Sequence, residues 1–273
     1  MIKTIRPAIF TDFAPALPPK RVIPMIRDAG FAVVSLRPKA RLPDGVAAAE
    51  TAAMGRLIRD NGLAVDSVHA PYPEGDRLFS RDEAERLESV RQCRFAIETA
   101  ADLGGRVTVI HLLQPYGIPP GPTRDRMMAQ GRRSVEALAA DAAGRGISLA
   151  LENGQDADYD RVLADFLTEF DGPPVGLCYD SGHENVRGAC FETLERFGSR
   201  LLTVHIHDTR GTDEHRLPYE GNIDWDRFRV VFHGLRYSGN FLLESHVANS
   251  AFRDPAVFLA EARARAERLL AKP

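Results

Sequence analysis

Residues 145–154 read RGISLALENG. A glycine stands at the front, an apolar run follows, and a single acid, Glu152, closes it. Glycine directly after a helix takes the left-handed conformation that ends the helix. The run lacks the polar alternation of a half-exposed strand, so it suits a parallel strand covered on both faces. The same pattern recurs along the chain. FAVVSL follows Gly30, LAVDSVH follows Gly62 and VTVIHL follows Gly105. VGLCYD follows Gly172 and two prolines, LLTVHIHD follows the turn at Gly198, and NFLLES follows Gly239. With TIRPAIF near the start, eight strands are expected.

The segments between them carry helical spacing. PKRVIPMIRDAG, AAAETAAMGRLIRDNG and RRSVEALAADAAGRG place apolar residues three and four apart. Ser80 and Glu83 have the spacing of a capping box ahead of a long helix through Thr99. WDRFRVVFHGL and DPAVFLAEARARAERLL close the series. Eight strand–helix units in about 250 residues predict an α/β chain folded as a single (β/α)8 TIM barrel over 1–273. A doubly wound open sheet would favour a glycine fingerprint after the first strand, and FTDFAPALPP has none. The Pro/Gly-rich stretches HAPYPEGDRLFS and LLQPYGIPPGPT each lie between a strand and its helix, so neither is a linker.

The net charge of −3 supplies no global field toward nucleic acid or an anionic membrane. MIKTIRPAIF has no long apolar core of a signal peptide, and no run of about 18 apolar residues occurs, so a cytoplasmic protein without a membrane partner is expected. Cys93, Cys178 and Cys190 form no CxxC pair and read as reduced, buried thiols. A homo-oligomer is left open.

The polar residues gather where strands stop. The third strand ends in His69, the fourth in His111 and the fifth in Glu152. The sixth ends in Asp180 with His183 behind it, the seventh carries His205 and His207, and the eighth ends in Glu244. In a barrel all these ends surround one mouth, where active sites are built. Taken singly, each has a plain explanation: a packing histidine, a helix cap at Glu152, a turn residue at Asp180, a solvated loop after His207. Their recurrence at six successive strand ends favours a shared site. Glu152, Asp180 and Glu244 cannot all ionise in one enclosed mouth without a counter-charge. No lysine lies near except Lys39, beyond the second strand, so a divalent cation is the simplest partner. Imidazole with carboxylate oxygen suits Zn²⁺, Mn²⁺, Fe²⁺ or Co²⁺. His205 and His207 point to one side of their strand, so one can be a ligand and the other a neighbour or a substrate contact. Asp213 and His215, on the next loop, could clamp a further ion.

In order, SVHAPY, VIHL, LALENG, CYDSGH, VHIHD, EHRLPYEGNIDW and FLLES resemble the xylose isomerase-like TIM barrels. That superfamily joins sugar isomerases and epimerases to the endonuclease IV-type apurinic/apyrimidinic endonucleases. The resemblance runs from the second strand to the eighth. It implies a metal set of Glu152, Asp180, His205 and Glu244, His205 being preferred over His207 because Asp208 completes a His-x-x-Asp strand end. His69, His111, His183, Asp213 and His215 match the additional zinc ligands of the endonucleases, so one ion and up to three are accommodated, zinc or manganese.

Short segments from His183 to His205 and from His205 to Asp213, with no basic patch of interleaved aromatics, argue against a DNA-gripping surface. The implied activity is therefore isomerisation or epimerisation of a small sugar or polyol, phosphorylated or not, through an enediolate with Glu152 and Glu244 as paired acid and base. His183, His207 and Arg210 or Arg216 would contact substrate. The alternative is a trinuclear-zinc endonuclease, the only reading with a nucleic-acid partner; a sugar dehydratase or lyase shares the same first step. Trp225 and His233 read as packing residues, and His246 as a neighbour of Glu244.

Overall fold

A computed structural model describes residues 5–40, 44–113 and 117–272. Parts of two expected segments, residues 1–4 of the opening run and 114–116 of the loop after the fourth strand, lie outside the described residues. Eight strands close into a parallel barrel in chain order. They are β1 (Pro7–Phe10), β2 (Val33–Leu36), β3 (Ala64–His69), β4 (Val107–Ile110), β5 (Ser148–Glu152), β6 (Val175–Asp180), β7 (Leu201–Ile206) and β8 (Phe241–Leu243). Closure is direct, with Ala8 beside Val33 on one flank and Leu242 on the other.

Helices α1 (Pro19–Asp28), α2 (Asp44–Asp60), α3 (Glu83–Leu103), α4 (Pro122–Gly144) and α5 (Ala157–Glu169) follow the first five strands. After β6 the chain makes two short helices, α6 (Ser181–Arg187) and α7 (Glu192–Phe197); α8 (Trp225–His233) and α9 (Pro255–Leu270) complete the ring. The strands read as continuous apolar runs because both faces are covered. One face meets the helices through a core that includes Ile9, Val34, Val68, Leu149, Leu177, Val204 and Leu243. The other fills the barrel with Ala8, Phe10, Val33 and Leu242, and with Val107, Val109, Ala150 and Cys178.

Alternation along each strand makes the interior set continue into the polar one. Val109 leads to His111, Ala150 to Glu152, Cys178 to Asp180, and Leu242 to Glu244, two residues on in each case. The pattern that packs the barrel therefore also aims the polar side chains into its mouth. Register completes the alignment, since Asp180 stands directly beside His205. Asp66, the one acid within a strand body among the described residues, is held by Thr203 Oγ1 at 3.0 Å and Asn240 Nδ2 at 2.6 Å.

Several local expectations change. The long helix is capped by Asp82, whose carboxylate accepts from the backbone N–H groups of Ala84 and Glu85 at 2.8 and 3.1 Å. The Ser80 hydroxyl instead donates to Glu85 at 2.8 Å, and Glu83 turns to Arg86. Gly104, at φ 76°, ends that helix. Asp-Ser-Gly after β6 opens α6 rather than a simple turn. Cys93 and Cys178 are buried free thiols, but Cys190 is exposed, because it falls in the connection between α6 and α7. Trp225 is a packing residue: its indole N–H donates to buried Asp208 at 2.8 Å. His233 closes α8 against the Leu269 carbonyl at 3.1 Å.

The cap assignment predicts that Asp82→Ala lowers stability by about 1 kcal/mol. Ser80→Ala should change it by less than about 0.5 kcal/mol. Urea unfolding of the two variants checks the order; equal losses would return the cap to Ser80.

Candidate metal centre

Glu152 is the hub. Its side chain is 1% exposed, and one oxygen faces His69 Nε2 at 3.1 Å and His111 Nε2 at 3.2 Å. The other oxygen faces His205 Nδ1 at 2.8 Å. His205 Nδ1 also meets Glu244 at 2.8 Å, so the imidazole sits between two carboxylates. A ligand atom from each of Glu152, Asp180, His205 and Glu244 lies within 4.8 Å of the other three. These are the four residues read as the principal metal set. His69, Glu152 and His205 form an overlapping group.

A second cluster adjoins the first through Asp180. His207 Nε2 meets Asp180 Oδ1 at 3.0 Å and Asp213 at 3.7 Å. Asp213 also faces His183 Nε2 at 3.5 Å and His215 Nε2 at 3.3 Å. His207 is fully buried, so its ring offers a ligand atom more readily than a face for substrate. It stacks on His215 at 4.2 Å, and His215 on His246 at 4.8 Å, in one nearly parallel row.

Tautomers test the fit to a cation. Backbone carbonyls can only accept, so a ring nitrogen facing one must carry the proton. His69 Nδ1 donates to the Ala70 carbonyl at 2.8 Å, His183 Nδ1 to Asn153 at 2.9 Å and His215 Nδ1 to Glu244 at 2.8 Å. His111 Nδ1 is likewise taken by the Asp76 carboxylate at 3.3 Å. In each neutral ring Nε2 then presents a lone pair, and each Nε2 points at a carboxylate. Lone pairs facing carboxylate oxygens repel unless a proton or a metal ion lies between them. Two further buried nitrogens, His205 Nε2 and His207 Nδ1, have no partner among the described residues. The donor set fits a divalent cation of the zinc or manganese kind at the four-residue group, with room for more at the second cluster.

The electrostatics agree. Burial alone would raise the pKa of Glu152, but His205, His111 and His69 hold it well below the carboxylate range. Burial also opposes ionisation of Glu244, and His205 and His215 again outweigh it. Conversely, burial depresses His111, yet Asp76 and Glu152 lift it to about 10; Asp213 and Glu244 similarly lift His215 to about 9. The acids thus demand positive charge, and without a cation the imidazoles must supply it as protons.

The arrangement has supports that single residues do not announce. Asn153 accepts from the Asp180 N–H at 2.7 Å and donates to the Asp180 carbonyl at 2.9 Å, tying the end of β5 to the end of β6. Asp180 also caps α6 by accepting the His183 N–H at 2.7 Å, so its cap and its place in the cluster coexist. Glu152 caps nothing; Asp156 caps α5. Asp76 and Asn153 were missed in the sequence, as was the Asp12–Arg37 ion pair at 3.1 Å. Asp76 and Asp12 lie on loops without a motif, whereas Asn153 stands inside LALENG, directly after the strand-end acid.

Two expected substrate contacts are not drawn into the cluster. Arg216 engages Glu214 at 2.8 Å, and Arg210 Nε donates to the Glu220 carbonyl at 2.9 Å. Both line a separate cavity. Both arginines lie on the loop between β7 and α8, beyond the barrel strands, where His215 at φ 47° turns the chain just before Arg216. Lys39 lines a different cavity with Asp12 and Arg37.

Two outcomes follow from this geometry. A Cβ on Gly182 would lie 1.9 Å from the His207 ring, which has no room to retreat. Gly182→Ala should cost about 1–3 kcal/mol and weaken cation binding about tenfold or more; unchanged melting and metal content would contradict the packing. Because His111 and His215 hold protons up to about 10 and 9 without a cation, loading one at pH 7 should release protons. Affinity should fall as pH drops. Calorimetry in buffers of different ionisation enthalpy reads the release, and a buffer-independent heat would refute it.

A 28% identical relative, the uncharacterized protein y4fM of Sinorhizobium fredii, aligns over 237 residues, 78% of this chain and 76% of that protein. The rhizopine catabolism protein MocC of Rhizobium meliloti is 28% identical over 76% of this chain and 62% of its own length. Among solved structures, a D-tagatose 3-epimerase-like protein superposes with a TM-score of 0.77 at 20% identity, covering 97% of this chain and 98% of that one. The 3-keto-D-glucoside 4-epimerase YcjR of E. coli gives 0.76 at 18%, covering 97% and 99%. At these identities the superpositions establish the shared barrel. The model of the xylose isomerase-like TIM barrel family matches residues 23–268, nearly the whole chain, and the protein belongs to that family.

Proposed function

We propose that this protein is a divalent-metal-dependent isomerase or epimerase of a small sugar or polyol, with zinc or manganese held by Glu152, Asp180, His205 and Glu244. The observation that carries the reading is the pair of buried carboxylates on either side of His205, each at 2.8 Å. When bound, the cation supplies Lewis-acid polarisation of adjacent carbonyl and hydroxyl oxygens. The chain supplies the proton chemistry. One of Glu152 and Glu244 removes the proton beside the carbonyl, giving an enediolate, and the other returns a proton from the opposite side. His69 and His111 keep Glu152 ionised and oriented, so it is poised as the base. His183 and His215, fixed by backbone carbonyls, line the second cluster, where substrate hydroxyls or further ions would be held. Solved structures of similar fold include proteins described as D-tagatose 3-epimerase-like, D-allulose 3-epimerase and L-ribulose 3-epimerase, which supports a ketose or a related polyol as substrate.

A second reading has its own support, since all nine groups of a trinuclear zinc pattern converge. There His69 and His111 would be ligands, and the activity would be incision at abasic DNA. A dehydratase or lyase would begin with the same proton removal.

The test is proton exchange. In D2O with Mn²⁺, the protein should incorporate deuterium beside the carbonyl of a ketose from a panel of ketohexoses and ketopentoses. Glu152→Gln or Glu244→Gln should lower the rate about 10²–10⁴-fold. Metal analysis should then find one tightly held ion, and His69→Ala with His111→Ala should retain it while weakening substrate binding. Three zinc ions per chain, one of them lost in those variants, together with incision of an abasic duplex, would decide for the nuclease.

A further inference from the structure

Outside the mouth, the loops after β7 and β8 enclose a cavity of about 540 Å³ with an unusual wall. Four arginines line it, Arg210, Arg216, Arg253 and Arg265, against one carboxylate, Glu220. Guanidinium groups repel one another, so gathering four requires compensation. Glu214 engages Arg216 at 2.8 Å, and Glu261 meets Arg265 at 3.5 Å. Arg210 and Arg253 have no ion-pair partner among the described residues. Each commits a single nitrogen to a backbone carbonyl, Arg210 Nε to Glu220 and Arg253 Nη1 to Ala248. Their remaining N–H donors are free for a ligand.

The wall also holds two unmet polar atoms. The Tyr219 hydroxyl and Glu220 Oε2 are buried and without a hydrogen-bond partner among the described residues. The Glu220 side chain is only 9% exposed, and its other oxygen is already held by Ser250 at 3.0 Å and the Ala251 N–H at 3.1 Å. A buried acceptor left open is destabilising. A hydroxyl, which donates to it, satisfies it once the side chain turns that oxygen toward the cavity; a bare anion does not. Phe252 adds an apolar surface, stiffened by the Arg265 guanidinium 5.1 Å above its ring.

We propose that this cavity is a second ligand site, separate from the metal centre, for a small hydroxylated anion: a phosphate monoester or a carboxylate of a sugar or polyol. Arg210 and Arg253 take the anionic group, and Glu220 Oε2 accepts a hydroxyl. The inference does not rest on the catalytic reading, because none of these residues belongs to the carboxylate–imidazole cluster.

Calorimetric titration of the metal-loaded protein with glycerol 3-phosphate, glycerate, inorganic phosphate and glycerol tests it. Glycerol 3-phosphate or glycerate should bind one per chain. The better of them should bind more tightly than inorganic phosphate, which carries no polyol hydroxyl for Glu220, and neutral glycerol should not bind. Arg253→Glu, at an exposed position, should weaken that binding about tenfold or more while melting stays at the parent value. Arg210→Gln is the second variant, with a smaller loss in the same direction. Absence of saturation up to about 50 mM overturns the proposal. So does binding that survives Arg253→Glu and disappears in Glu152→Gln, because the anion would then be sitting at the metal centre.

Discussion

One buried carboxylate organises the mouth of this barrel. Glu152 is reached by three imidazoles from three other strand ends, His69, His111 and His205, at 2.8 to 3.2 Å. A charge so enclosed is stable only with compensation, and removing its partners would leave an uncompensated ion. The rest of the mouth can be understood as answering that demand. Asn153, the next residue, locks β5 to β6 and so sets how far Asp180 stands from Glu152. Register then puts His205 beside Asp180.

Backbone carbonyls do much of the chemical selection. By accepting from Nδ1 of His69, His183 and His215, they leave Nε2 as the only nitrogen free to meet a cation. The choice is made by main chain directly after the strands, at Ala70, Asn153 and Glu244. That arrangement suits a family whose members share one barrel and differ in what they act on. His207 and His246 stack on either side of His215 and make an imidazole row beside the mouth.

The eight strand–helix units and the strand-end acids and histidines were legible because they follow from periodicity. Buried parallel strands have to be apolar throughout, helices have to end, and a polar residue at such a strand's end stands out. Features built from side chains meeting across long separations in sequence were not legible. Asp76, on the loop after β3, meets His111, just past the end of β4, and Asp12 and Arg37 likewise come from different strand ends. Local competition also escaped the pattern. Asp82 outcompetes Ser80 as the helix cap, and the helix begins two residues later than the capping-box spacing implied.

The sequence by itself determined the barrel and the set of residues ringing its mouth, because a repeat of two along strands and of three to four along helices is a local property. Only the tertiary structure decided which of those residues meet, which ring nitrogens are left open, and that Arg210 and Arg216 turn outward to a cavity of their own. Those outcomes depend on strand register and on hydrogen bonds between segments far apart in the chain, which exist only once the barrel has closed.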